Sequence, residues 1–71
     1  MTDTTNEVIL TKLGEITEAA IDWAVAADEE DVTEQWNLQN PTKARSSVTA
    51  RTTAASKLQE IRRLVKELHT L

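Results

Sequence analysis

Cysteine is absent from the 71 residues and histidine occurs once, so disulfides, thiolate metal sites and histidine-based metal sites are excluded. The chain also has no phenylalanine or tyrosine, one glycine and one proline. β-Rich domains need aromatic and turn-forming residues, so this composition, rich in alanine, leucine and glutamate, predicts helices. Its apolar runs are too short to span a membrane, and the start, MTDTTNEV, lacks the basic and apolar regions of a signal peptide. We therefore expect a cytoplasmic protein without membrane contact.

The length sets the size of the core. A chain of 71 residues predicts a single helical domain over 1–71, near the lower limit for a self-sufficient core. Small domains without disulfides or metals usually depend on well-packed helices or on oligomerisation.

The first part of the chain has the periodicity of an amphipathic helix over about 6–27. Its main apolar stripe consists of Ile9, Leu13, Ile16, Ala20, Trp23 and Ala27. Four acids follow at 28–31, and they would be unfavourable at the negative end of a helix. We therefore expect this helix to end near Ala27, and a separate short helix to cover about 31–38, with Asp28 or Asp31 as its cap.

A second long helix is predicted over about 41–70. Asn40 is a suitable cap, and Pro41 fits the first helical position, where its missing N–H would be unpaired anyway. Its apolar positions are Ala44, Ala54, Leu58, Ile61, Val65 and Leu68. Small side chains over 46–56 allow close helix approach, and the alternative is a mobile segment. The predicted fold is all-α: an antiparallel helical hairpin with a short connecting helix.

The sign of the charge changes between the two halves. Ten acids and one base occur up to Asn40, and seven bases and two acids follow, so the net charge changes from −9 to +5. A hairpin would place the acidic helix beside the basic one, with Lys43 and Arg45 near 28–31 and Arg51 near Glu18. Exposed pairs contribute only about 0–1 kcal/mol each, so the asymmetry selects orientation and pairing more than it stabilises.

Apolar residues outside the main stripes predict self-association. The first helix carries a second line, Leu10, Ile21 and Val25, and an end patch of Val65, Leu68 and Leu71 is expected to project at or beyond its start. We expect a dimer that forms a four-helix bundle, or a higher oligomer built from such dimers. The alternative is a monomer in which the short helix covers the second line. Trp36 would be a lid over the open end of the hairpin or an exposed anchor for a partner.

The predicted function is a non-enzymatic protein–protein interaction or assembly module, of the size of a bacterial or phage accessory or inhibitor protein. The residues assigned to an acidic partner-binding face are Glu15, Glu18, Asp22, Asp28, Glu29, Glu30 and Asp31. One alternative is an acidic decoy that inhibits a nucleic-acid-binding protein. Direct nucleic-acid binding is disfavoured by the net charge of −4 and by the scarcity of aromatic residues.

A second alternative is a small metal-dependent helical-bundle hydrolase. The sequence EITE, from Glu15 to Glu18, resembles the Glu-x-x-Glu motif of the all-helical nucleotide pyrophosphohydrolases. That family also needs a second acidic pair of the Glu-x-x-Asp type, which the sequence lacks. The sequence therefore assigns no catalytic residue, no metal ligand and no cofactor.

Overall fold

Two long helices and a tight connection make up the structure. The computed structural model describes the backbone of residues 2–71 and the side chains of residues 5–71. Helix α1 spans Thr2–Gln39, a 3-10 helix spans Pro41–Lys43, and helix α2 spans Val48–His69. The two long helices pack along each other in a body of 61 × 14 × 12 Å. The all-α prediction is confirmed for the described residues, which contain no strand.

Helix α1 is longer than the sequence predicts. It begins at Thr2 and continues without interruption through 28–31 and through the segment assigned to a separate short helix, 31–38. The predicted helix end at Ala27 is therefore wrong. The electrostatic penalty for acids is confined to the last turn of a helix, and 28–31 lie more than a turn before Gln39. The final turn, Trp36–Gln39, contains no charged residue.

The second long helix is shorter than predicted. Pro41 does begin a helical turn, but this turn is the 3-10 helix, and α2 begins seven residues later, at Val48. Ala44 lies in the connection, is exposed, and does not belong to the α2 stripe. Asn40 does not cap the 3-10 helix with its side chain. Instead its side-chain amide donates to the Trp36 carbonyl oxygen at 2.9 Å, and its backbone N–H donates to the same oxygen at 2.9 Å.

A small set of contacts, which we call the turn clasp, fixes the connection to the end of α1. Its members are Trp36, Asn37, Asn40 and Arg45. The Asn37 side chain accepts a hydrogen bond from the Arg45 backbone N–H at 2.7 Å and donates one to the Arg45 carbonyl oxygen at 2.8 Å. The Arg45 guanidinium lies over the Trp36 ring, 4.5 Å from its centre. Trp36 is half-buried here, at the turn, and is not a lid over the open end of the hairpin.

We expect Asn37→Ala to loosen the turn while the helices remain folded. The substitution removes two hydrogen bonds, each worth about 0.5–1.5 kcal/mol. The Arg45 amide should then exchange its hydrogen faster, and the melting temperature should fall modestly. Asn37→Asp is the matched control, because a carboxylate can still accept from the Arg45 N–H but cannot donate to its carbonyl oxygen. Unchanged Arg45 exchange in the alanine variant would show that the clasp does not hold the turn.

The helices run antiparallel, and ion pairs between them define the register. Lys12 pairs with Glu67, Lys57 with Asp22 at 3.5 Å, and Arg51 with Glu30 at 3.0 Å. The residue numbers of each pair add up to about 80, as expected for one constant antiparallel register.

The sequence predicts a different register, with Arg51 near Glu18 and with Lys43 and Arg45 near 28–31. In the structure Arg51 contacts Glu30 and also Glu34, at 3.2 Å, so this prediction is wrong by about three helical turns. The error follows from the helix end assigned at Ala27. Since α1 continues to Gln39, every residue of α2 meets a later residue of α1.

The line of contact between the helices is narrow. Buried and half-buried residues recur at steps of three and four along both helices, with one step of seven between Ala19 and Ala26. They are Ile9, Lys12, Ile16, Ala19, Ala26, Glu30, Thr33 and Asn37 on α1, and Ala50, Ala54, Lys57, Ile61, Leu64 and Leu68 on α2. Among residues 5–71 only four are fully buried, namely Ala19, Ala26, Ala54 and Leu64. Ala26 and Ala54 lie at the same level in the register, and their small side chains allow the two helices to approach closely.

The predicted stripes are only partly buried. Ile9, Ile16, Ile61 and Leu68 lie on or beside the contact line and are half-buried, in agreement with the sequence. Four other members remain exposed, which corrects the assignment of Trp23 to the core: Leu13 at 44%, Trp23 at 39%, Leu58 at 36% and Val65 at 48%. Each helix is therefore turned so that part of its stripe follows the contact line and the rest lies to one side of it.

Candidate interaction surfaces

The two sides of the hairpin differ in chemistry. On α1, the residues directly after contact-line positions include Leu13, Ala20 and Ala27, and on α2 they include Leu58 and Val65. Successive helical residues point about 100° apart, so these residues flank the contact line. Because the helices are antiparallel, the residue after a contact position lies on the same side of the hairpin in both helices. Trp23 joins them, because it is three residues after Ala20 and four before Ala27. We call this surface the apolar side; its members are Leu13, Ala20, Trp23, Ala27, Leu58 and Val65.

The opposite side is more polar, because the residues directly before contact-line positions include three glutamates on α1 and three serine or threonine residues on α2. Four exposed carboxylates form what we call the acidic edge: Glu15, Glu18, Asp22 and Glu29. Beside it lies a shallow groove of about 280 Å³, lined by Asp22, Glu29 and Lys57 together with alanine, valine and threonine side chains. The structure therefore keeps these four members of the predicted acidic face together.

The other three members of the predicted acidic face do not join this edge. The four consecutive acids at 28–31 wind around α1, and successive side chains point about 100° apart. Asp28 points away from α2, Asp31 points toward the apolar side, and Glu30 is half-buried against Arg51. The seven carboxylates proposed from the sequence are therefore not one surface.

The outer face of α1 carries the second apolar line. Leu10, Ile21 and Val25 are exposed, with Val25 at 56%, as is Val32 further along the same face. The alternative in which a short helix folds back to cover this line is wrong, because 31–38 continue α1 in the same direction. Trp36 is held by Arg45 at the turn.

The predicted end patch does not project past α1. The observed register places Val65, Leu68 and Leu71 opposite the first turns of α1, near Glu15, Lys12 and Ile9. Leu68 is half-buried between the helices, whereas Val65 and Leu71 are exposed. Val65 therefore belongs to the apolar side, and Leu71 is at the open end of the hairpin.

Two residues whose charge is opposite to that of their half of the chain form an ion pair between the helices. Lys12 is the only base in the acidic half of the chain, and Glu67 is one of two acids in the basic half. They pair with each other, and Arg63 also contacts Glu67 at 2.5 Å. Hydrogen bonds from Lys12 and then Arg63 lower the pKa of Glu67 below its ordinary value.

Two bases of α2, Arg51 and Lys57, form ion pairs with acids of α1, one on each side of the contact line. Hydrogen bonding to Glu30 raises the pKa of Arg51, with a further contribution from Glu34. Hydrogen bonding to Glu60 and then to Asp22 raises the pKa of Lys57. Arg51 lies toward the apolar side and Lys57 toward the acidic edge, so one base bridges the helices on each side.

The lowered pKa of Glu67 predicts a pH dependence. A carboxylate with a depressed pKa in the folded state stabilises the fold above its unfolded pKa, and this contribution is lost as the pH falls through the folded pKa. Glu67→Gln should therefore lower the melting temperature near about pH 7, and the difference from wild type should shrink at about pH 3. A pH-independent difference would mean that the glutamate acts through packing and not through its charge.

Exchanging the charges of Lys12 and Glu67 tests the contribution of the ion pair itself. Lys12→Glu and Glu67→Lys should each lower the melting temperature, because each places two like charges together. The double variant should recover part of the loss, because the exchanged pair forms again whereas the contacts with Arg63 and Glu15 do not. Failure of the double variant to recover would contradict the observed register.

Sequence reasoning missed the residues that hold the hairpin together: Lys12, Asn37, Lys57 and Glu67. The sequence contains a signal for the ion pair, because a single base among ten acids indicates a specific acidic partner. Asn37 gave no signal, since its role depends on where the chain turns.

Within residues 2–71, no helix combines the length and the apolar character needed to cross a membrane. No three His, Cys, Asp or Glu residues of the described part of the chain come together as a group that could hold a metal ion. Comparison of the chain with protein-family models, with curated proteins and with solved structures finds no match.

Proposed function

We propose that this chain is a non-enzymatic helical interaction and assembly module, which associates with copies of itself and binds a protein partner. The observation that supports this proposal is the imbalance between buried and exposed apolar side chains. One leucine and three alanines are fully buried among residues 5–71, whereas twelve large apolar side chains are exposed. Burial of a valine, leucine or isoleucine contributes about 1.5–3 kcal/mol, so covering these partly exposed side chains would add considerable stabilisation.

Many of these exposed side chains are grouped, and a grouped arrangement supports binding better than scattered exposure does. Singly exposed apolar residues are normal, but contiguous apolar patches usually mark interaction sites. The apolar side joins residues from both helices, and the outer line of α1 adds a second surface. An elongated hairpin with two apolar surfaces is suited to contacts along its length and has little room for an enclosed active site.

Concentration dependence tests the proposal. Self-association makes the melting temperature rise with protein concentration, because the associated state is linked to folding by mass action. We expect the melting temperature to rise over a hundredfold range of concentration, and light scattering to give a mass above that of one chain. A constant melting temperature and a single-chain mass at high concentration would contradict self-association.

The acidic edge supports a second candidate function, an acidic decoy for a nucleic-acid-binding protein. Of its four carboxylates, Glu18 and Glu29 lie within 4 Å of no basic group in the described side chains, so their charge is available to a partner. Binding through this edge should weaken steeply with salt, whereas binding through apolar surface should not. Glu18→Gln together with Glu29→Gln should abolish decoy binding but leave self-association unchanged.

A further inference from the structure

We infer that the apolar side is covered by a second copy of this chain, in a four-helix bundle whose two turns lie at the same end. This inference rests on the proposed self-association and specifies its surface and its geometry. It leaves the second apolar line of α1, on its outer face, and the acidic edge free for a different partner.

The position of the apolar stripes is the first argument. In an isolated helix pair the most apolar positions should point directly at the partner helix, but in a four-helix bundle they point between two neighbours. The stripes of both helices are turned toward the same side of the hairpin, where Leu13, Trp23, Leu58 and Val65 remain exposed. A second hairpin on this side would place both stripes in one central core.

Charge selects the relative direction of the two copies. If the symmetry axis runs along the helices, α1 of each copy packs beside α2 of the other, and an acidic helix meets a basic one at every contact. If the axis runs across the helices, α1 packs beside α1, and the two acidic helices repel each other. The net charges of −9 up to Asn40 and +5 after it favour the first arrangement, with the turns at the same end.

The extent of the contact is sufficient for a dimer. The apolar side runs from Leu13 to Ala27 on α1, about 21 Å of helix, and lies near the middle of α1. Two hairpins aligned along their whole length share a footprint of about 60 Å by 19 Å per copy, or about 1,100 Å². A stable interface needs roughly 800 Å² from each partner. The available area is therefore enough for a dimer, and the charges select its direction.

Nearer to the turn, the same side of the hairpin carries charges that are complementary to a second copy. Arg51 and Glu34 lie toward this side, as does the exposed Asp31. With the turns together, Arg51 of each copy approaches these acids of the other. These charged residues can therefore pair across the interface.

A matched pair of valine substitutions tests the surface. Val65 is on the apolar side and Val25 is on the outer line, and both are exposed in the single hairpin, at 48% and 56%. Val65→Glu should weaken the dimer at least about 100-fold, because the dimer would bury two carboxylates in an apolar core. Val25→Glu should change dimerisation by less than about threefold, as expected for a surface substitution away from the interface. Sedimentation equilibrium gives both constants, and circular dichroism confirms that each variant is helical.

A spin label tests the direction in the native sequence background. The chain has no cysteine, so Lys43→Cys provides a single labelling site at the exposed turn. In the proposed dimer the two labels should be within about 30 Å of each other, since they are at the same end of one bundle. Turns at opposite ends would separate them by about 60 Å or more. A distance in the longer range would overturn the proposed direction.

The outcomes distinguish this inference from the proposed function. A dimer that dissociates with Val25→Glu but not with Val65→Glu would overturn the assignment of the apolar side while self-association stands. A wild type that stays monomeric at high concentration would overturn both. A monomer whose apolar side binds another protein, with loss of binding in Val65→Glu, would show that the occupant is a different partner and overturn the second copy.

Discussion

Leu64→Ala should lower the free energy of unfolding by about 2–5 kcal/mol, the range for a buried leucine that leaves a cavity. Leu64 is the largest fully buried side chain among residues 5–71, with 1% of its surface exposed. Because the other fully buried residues there are alanines, no other single truncation removes as much of the core of the hairpin. The loss should be visible as a large decrease in the denaturant midpoint.

Leu58→Ala is the matched control, since it makes the same substitution two turns earlier on the same helix. Leu58 is 36% exposed in the single hairpin, so its truncation should cost about 1 kcal/mol in dilute solution. At high concentration the cost should increase, because the dimer buries the apolar side. Equal losses for the two variants in dilute solution would contradict the observed helix rotation.

Ala26→Leu should destabilise the hairpin by about 1–3 kcal/mol, the usual cost of inserting methylene groups into a packed contact. Ala26 is buried at the level of Ala54, where the helices approach with alanine on both sides. A leucine there must separate the helices or adopt a strained rotamer. Chemical denaturation measures the loss, and the interhelical distance reported by paired labels should increase.

Ala24→Leu is the control for this substitution. Ala24 is exposed and lies two residues from Ala26 on the same helix, so the same increase in side-chain size meets no packed neighbour in the single hairpin. Its stability in dilute solution should stay within about 0.5 kcal/mol of wild type. If Ala26→Leu were also neutral, close packing of the alanines could not be the reason for the observed contact line.

The hairpin could be predicted from the sequence, because its causes act along the whole chain. Periodic apolar residues identify two helices, and the change from −9 to +5 favours an antiparallel pairing. The helix ends could not be predicted with the same rules. The four acids at 28–31 indicate a helix end, because carboxylates are unfavourable at the negative end of the helix dipole. In the structure these acids lie in mid-helix, where Arg51 of the other helix binds Glu30. This contact comes from a distant part of the sequence, so local rules do not predict it.

The interaction surfaces could be predicted in part for a related reason. Periodicity identifies the direction in which a helix is apolar, but it does not tell how many neighbours share that direction. Leu13 and Leu58 belong to correctly identified stripes, yet a single partner helix covers only the line beside them. The second apolar line of Leu10, Ile21 and Val25 was identified from its spacing and was expected to be covered by a second copy or by the short helix; within the single chain the structure leaves it uncovered.

The turn clasp affects which alignment of α2 along α1 the chain adopts. The helices repeat at an interval of seven residues: Ile9 and Ile16, Ala19 and Ala26, Glu60 and Glu67 are all seven apart. A slip of α2 by one heptad would exchange the Lys12–Glu67 pair for Lys12–Glu60 and keep isoleucine and alanine in equivalent places. The part of the hairpin away from the turn therefore discriminates little against such a slip. Near the turn, the slip would separate Arg51 from Glu30 and Glu34 and would break the hydrogen bonds between Asn37 and Arg45. The contacts that make the alignment unique are therefore concentrated in a few residues at one end.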